Sequence, residues 1–197
     1  MSKWLRTLLA VLGGLILAGG VVMGLTQAGS VSEQGGGDFD LEAVQQRLSG
    51  APAPLAALYG RANTIVGGGR QEFEATLRSL RGHPVVINKW ASWCGPCRAE
   101  FPMFQEIAAE RGREVAFVGL NSRDARGAAR RFLDEYPLPF PSFEDSDEKI
   151  ARALDSPANF PVTIYIDANG ETVFVHQGSY RSSGDLADDI DEHLGPS

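Results

Sequence analysis

Cys94 and Cys97 are the only two cysteines in the chain, and two residues separate them. A pair at this spacing can serve four kinds of chemistry. A structural zinc site needs four ligands, usually two such clips or a clip with histidines, and His83, His176 and His193 form no second clip. Haem attachment needs a histidine directly after the second cysteine, where this chain has Arg98. A structural disulfide normally closes a longer loop, because a very small loop removes little entropy from the unfolded chain. The fourth chemistry, a dithiol that opens and closes, fits best. The pair follows an apolar run and opens a helical stretch, and a helix N-terminus favours negative charge. Cys94 is therefore the expected attacking thiolate. Cys97, one turn along, is the expected resolving thiol that displaces the product from a mixed disulfide. Gly95 and Pro96 tighten the turn between them, and proline suits a first helical turn because it has no N–H to leave unpaired.

The elements that must position this pair can be read from the flanking pattern. Val85–Trp90 is a short apolar run rich in β-branched residues, which predicts a buried strand. Cys94 to Arg111 predicts a helix with Pro102 inside it, and Val115 to Leu120 a second strand. Asp124 to Tyr136 and Asp147 to Leu154 predict helices, with a proline-rich loop, PLPFPSF, between them. Val162 to Ile166 predicts a strand, Asp167 to Gly170 a hairpin turn and Glu171 to Gln177 its partner strand. A last amphipathic helix, Gly184 to Leu194, has Leu186, Ile190 and Leu194 on one face. Upstream, Asp40 caps an expected helix at Leu41–Leu48, a second is expected at Leu55–Val66, and a third at Gln71–Arg81. This order predicts an α/β fold: a mixed sheet with a parallel core and an antiparallel edge, and helices on both faces.

Trp93-Cys94-Gly95-Pro96-Cys97 matches the active-site motif of the thioredoxin superfamily, and the chain resembles that superfamily from about Val85 to Leu194. Pro102, five residues beyond Cys97, matches the family's helix-kinking proline. Phe160 and Pro161 stand where the family has its cis-proline, so the resemblance implies that this loop faces the disulfide and helps to seat the substrate chain. The longer stretch from Asn88 to Pro102 is similar to the membrane-anchored, extracytoplasmic TlpA/ResA type, and Asp124 to Leu154 fills the place of that branch's extra segment. Asn88 replaces the buried acid of cytoplasmic thioredoxins. Glu100 matches a glutamate that this branch carries near its active site, where a carboxylate would raise thiol pKa values and relay protons; a solvated position on the helix surface explains it equally well. Trp90 and Trp93 are expected to shield the disulfide, with core packing the other reading for Trp90. Arg123 and Asp124 read as a surface loop, or else as the edge of the active site.

The first residues stand apart. Lys3 and Arg6 precede an uncharged apolar segment, Leu8 to Leu25, which as a helix would be about 27 Å long, close to the thickness of a bilayer's hydrocarbon core. The asymmetry of positive charge places the N-terminus in the cytoplasm and the remainder outside. The length favours an uncleaved anchor over a cleaved signal peptide, whose apolar region is shorter. The expected organisation is a membrane anchor at 1–27, a glycine-rich tether at 28–40, a helical extension at 41–81 and a thioredoxin-like domain at 82–197. The formal net charge is -7, which argues against nucleic acid as a partner, since phosphate binding needs a basic surface.

Taken with the anchor, the resemblance implies a thiol–disulfide oxidoreductase of the cell membrane whose catalytic domain lies outside the cytoplasm. It implies reduction of protein disulfides, with apocytochrome c among the partners, and electrons from a membrane protein with paired cysteines. It implies no metal and no cofactor beyond the dithiol itself. Three alternatives stay open. A protein disulfide oxidase would use the same pair in reverse. A peroxiredoxin-like thiol peroxidase would need Pro and Thr where this chain has Ile87 and Ala91. A non-enzymatic binding module would use only the groove beside Pro161.

Overall fold

The structure is a computed structural model and describes residues 39–195. The expected anchor at 1–27, and all of the tether before Phe39, lie outside the described residues. Among the described residues no helix is long and apolar enough to cross a membrane.

Six strands form one sheet in the order β1-β4-β3-β2-β5-β6. They are β1 (Ile65–Val66), β2 (Val85–Trp90), β3 (Ala116–Ser122), β4 (Ser142–Asp145), β5 (Val162–Ile166) and β6 (Thr172–Gln177). The β1–β4, β4–β3 and β3–β2 pairs are parallel, while β2–β5 and β5–β6 are antiparallel. The expected mixed sheet, parallel in its core and antiparallel at one edge, is what forms. β2 sits at its centre with every residue buried, which is why its sequence is a near-continuous apolar run and not an alternating one.

Among the described residues seven helices surround the sheet: α1 (Leu41–Leu48), α2 (Ala53–Tyr59), α3 (Gly69–Ser79), α4 (Gly95–Arg111), α5 (Arg126–Glu135), α6 (Lys149–Ala153) and α7 (Ser183–Leu194). Successive strand residues face opposite sides, and the aromatic side chains reveal which helices lie where. Trp90 packs edge-on against Phe101 of α4 at 5.1 Å and lies 5.4 Å from Phe132 of α5, while its indole N–H donates to Ser142 Oγ at 3.1 Å. The next residue along, Phe143, faces the other way and meets Phe73 of α3 edge-on at 5.3 Å. Gly119 lies opposite Ser142 in the register. A Cβ there would strike Ser142 Oγ and come within 3.0 Å of the Trp90 indole nitrogen, so this close approach requires glycine.

Two segments differ from the sequence expectation. Ile65 and Val66, expected at the end of a helix, pair instead with Ser142 and Phe143 as a short edge strand. The helix in that region stops at Tyr59, whose hydroxyl donates to Val115 O at 2.7 Å and accepts from Phe117 N at 3.2 Å. That bridge ties α2 to the start of β3. Residues 142–145, expected to begin in a proline-rich loop, form β4 because their backbone pairs on both sides. Asp145 then accepts from Ile150 N at 2.8 Å and Ala151 N at 2.9 Å, satisfying free N–H groups at the start of α6. Residues 41–81, expected to be helical, thus contribute three helices and one strand.

Candidate active site

β2 ends at Trp90, the chain turns through Ala91, Ser92 and Trp93, and Cys94 caps α4. The Cys94 sulfur accepts the Cys97 backbone N–H at 3.1 Å. The two cysteines form a disulfide with their Cα atoms 5.3 Å apart. Pro96 lies in the first turn of the helix, and Pro102 inside it. Cys94 is 4% exposed and Cys97 fully buried, so only the first sulfur's residue has surface through which a partner can reach it. In the reduced protein, the free N–H groups of the first turn would stabilise a thiolate at Cys94.

Two loops flank the pair. On one side Phe160 and Pro161 are joined by a cis peptide bond, as the resemblance implied, and Pro161 O accepts from Gly178 N at 3.0 Å. On the other side lies the β3–α5 connection at Arg123 and Asp124. Trp93 spans the two: its indole N–H donates to Arg123 O at 2.9 Å, and its ring meets that of Phe160 edge-on at 5.0 Å. Trp93 is 57% exposed, so an apolar face remains open beside Cys94. Trp90 is fully buried, and for this residue core packing is the reading that holds.

Beneath Cys97, Glu100 follows by one helical turn and is fully buried, so the solvated reading of this residue is wrong. Asn88 Nδ2 donates to Glu100 Oε1 at 2.7 Å. Glu100 Oε2, Asn88 Oδ1 and Thr163 Oγ1 are buried without partners, and Thr163 is the register partner of Asn88. Burial raises the Glu100 carboxyl pKa to about 8, with the Asn88 amide pulling partly the other way. An acid with that affinity is matched to a thiol, whose ordinary pKa is about 8.5.

Two residues were under-read in the sequence. Asp124 is largely buried and accepts from Ser92 N at 2.6 Å, Ser92 Oγ at 2.9 Å, Asn121 Nδ2 at 3.0 Å and Ala125 N at 2.8 Å. It is not surface loop: it fastens the turn before Cys94 to the end of β3. Ser92 and Asn121 gave no signal of this by spacing. Lys89, a charge inside the apolar β2 run, is fully buried with its ammonium at 2.5 Å from Pro157 O. A lysine within a strand expected to be buried was the available signal.

The matching family model is that of Redoxin, over residues 52–190. The chain belongs to the Redoxin family. Among curated relatives it is 36% identical over 106 residues to the thiol-disulfide oxidoreductase ResA of Oceanobacillus iheyensis, a match covering 52% of this chain and 54% of that protein. The chain thus spans about half the length of that relative. Among solved structures it is similar to one assigned as the thiol:disulfide interchange protein DsbE of Chlorobium tepidum, with TM-score 0.56 and 30% identity over 60% of this chain and 85% of the other. It is also similar to MTB dsbF in its mixed oxidized and reduced forms, with TM-score 0.54 and 29% identity over 59% of this chain and 85% of that one. The resemblance to the ResA type of the thioredoxin superfamily is therefore borne out, and the fold is thioredoxin-like.

Proposed function

We propose that the protein is a membrane-anchored thiol–disulfide oxidoreductase, acting outside the cytoplasm, that reduces protein disulfides at Cys94 and Cys97. The observation that carries this reading is the pair itself: a disulfide at the N-terminus of α4, with Cys94 slightly exposed and Cys97 closed off. In the reduced protein the Cys94 thiolate attacks a substrate disulfide. A Cys94–substrate bond forms and one substrate thiolate leaves. The Cys97 thiol loses its proton, to Glu100 in molecules where that carboxyl is ionised and otherwise to water, and its sulfur attacks Cys94 Sγ. The Cys94–Cys97 disulfide forms and the second substrate thiolate departs. The substrate has gained two electrons and the protein has lost two. Return to the dithiol needs a donor of the same chemistry, a membrane protein with paired cysteines, and an anchor would raise the effective concentration of the domain near it. Apocytochrome c is among the substrates this reading implies.

The test is trapping. In the Cys97→Ala variant the second attack cannot occur, so covalent complexes with protein substrates accumulate and dithiothreitol releases them. In the Cys94→Ala variant they do not form, and insulin disulfides are no longer reduced. A Cys97→Ala protein that captures no partner sinks the reading. Direction is read from equilibrium with glutathione: a potential near about -270 mV marks a reductase, whereas one near about -120 mV marks an oxidase.

A further inference from the structure

Lys89 is the residue that joins β2 to the loop before Pro161. Its side chain is enclosed, and the ammonium makes three contacts, each to a different part of that region. It donates to Pro157 O at 2.5 Å, lies 4.5 Å from the centre of the Phe160 ring, and is 3.8 Å from Glu148 Oε1. Phe160 in turn meets Trp93, the residue before Cys94. Glu148 also approaches Arg123, Oε2 to Nε at 4.0 Å, and Arg123 O holds the Trp93 indole. Both loops beside the disulfide thus converge on one buried cation.

The loop has little else to hold it. Among the described residues, Ala158, Asn159 and Phe160 make no main-chain hydrogen bond to the rest of the fold; the main chain is next held at Pro161, whose carbonyl accepts from Gly178 N, and at Val162. Burying a lysine is costly unless its charge is paired and hydrogen-bonded, and here desolvation lowers the Lys89 pKa while Glu148 counteracts it. Glu148 and Arg123 both adopt left-handed backbone, with φ of 56° and 53°, a conformation uncommon for such residues.

We propose that Lys89 is a positioning residue for protein substrates, holding Pro157 and Phe160 so that the cis-proline loop meets the incoming chain. The proposal rests on the reading of Cys94–Cys97 as a protein-disulfide exchange site. It separates two classes of reaction. A protein disulfide needs the loop as a wall to lie against; a small dithiol needs only the sulfur.

The experiment compares wild type with Lys89→Met, which keeps most of the stem and removes the ammonium. Insulin reduction is measured with dithiothreitol as the electron source. The KM for insulin is expected to rise about five- to tenfold, the scale of one lost cation–π contact with its hydrogen bond. The kcat, and the rate at which dithiothreitol opens the Cys94–Cys97 disulfide, are expected to stay within about twofold. An unchanged KM overturns the proposal. So does a parallel fall in kcat and in the dithiothreitol rate, which would mark general damage to the site. Because loss of a buried lysine can impair folding, Phe160→Leu tests the same contact from its other side and must also raise the KM for insulin; no rise overturns the proposal. A wild-type protein that reduces no insulin fails the exchange reading itself, before any variant is compared.

Discussion

The buried carboxyl of Glu100 makes folding stability depend on pH in a direction opposite to that of most carboxylates. Its pKa is raised from 4.5 to about 8 by burial. Between those values the native state holds a proton that the unfolded state has released. Stability therefore falls as pH rises through this window, and the penalty is complete only above pH 8. Each tenfold change in proton affinity corresponds to about 1.4 kcal/mol, so the ceiling is on the order of 5 kcal/mol. Relaxation and water entry around the charged form reduce this, and a loss of about 2 kcal/mol or more is the expected outcome. The informative variant is Glu100→Gln, which keeps an oxygen for Asn88 Nδ2 and removes the titration. Urea unfolding of the oxidised proteins at pH 5, 7 and 9, followed by tryptophan fluorescence, gives the comparison. Wild type should lose stability across the series relative to the variant, which becomes the more stable of the two at pH 9. Curves that stay parallel within about 0.5 kcal/mol, the resolution of such extrapolations, would refute the reasoning.

Two further substitutions test the frame around the site. Asp124→Ala removes the acceptor for Ser92 N, Ser92 Oγ, Asn121 Nδ2 and Ala125 N; it should cost about 2–4 kcal/mol in urea unfolding and speed amide exchange at Ser92. Tyr59→Phe leaves the Phe117 N–H and the Val115 carbonyl without their shared partner; it should lower the unfolding midpoint by the equivalent of about 1–3 kcal/mol, with the m-value unchanged.

How far the sequence could be read depended on how each element is stabilised. β2 and β5 were legible to the residue because full burial on both faces demands runs such as VVINKW and VTIYI. α1 was legible because Asp40 both ends the loop and caps the helix. β1 and β4 were not. Two residues carry no period, and Ser142–Asp145 is a strand because its backbone fills the gap between β3 and β1, not because its side chains favour one. The same division holds at the site. Cys94 and Cys97 declare themselves by type and spacing, and Pro161 by resemblance. Glu100 does not, since a glutamate one turn after a cysteine looks the same whether it faces water or the sheet. Asp124 reaches Ser92, and Lys89 reaches Pro157, more than thirty residues away in the chain, and no local pattern names such partners.

The order of the strands also bears on how the chain comes to be folded. β2 is flanked by β3, which follows it soon after, and by β5, which follows much later; Val85 lies opposite Ile166. In a chain emerging from its N-terminus, β2 and β3 can pair while the other side of β2 still waits for β5. That waiting side is an open edge of a largely apolar strand, the kind of surface on which chains associate wrongly. Pairing across such distances is also slow. A strand wholly hidden in the native molecule is therefore one whose edge stays bare through much of synthesis.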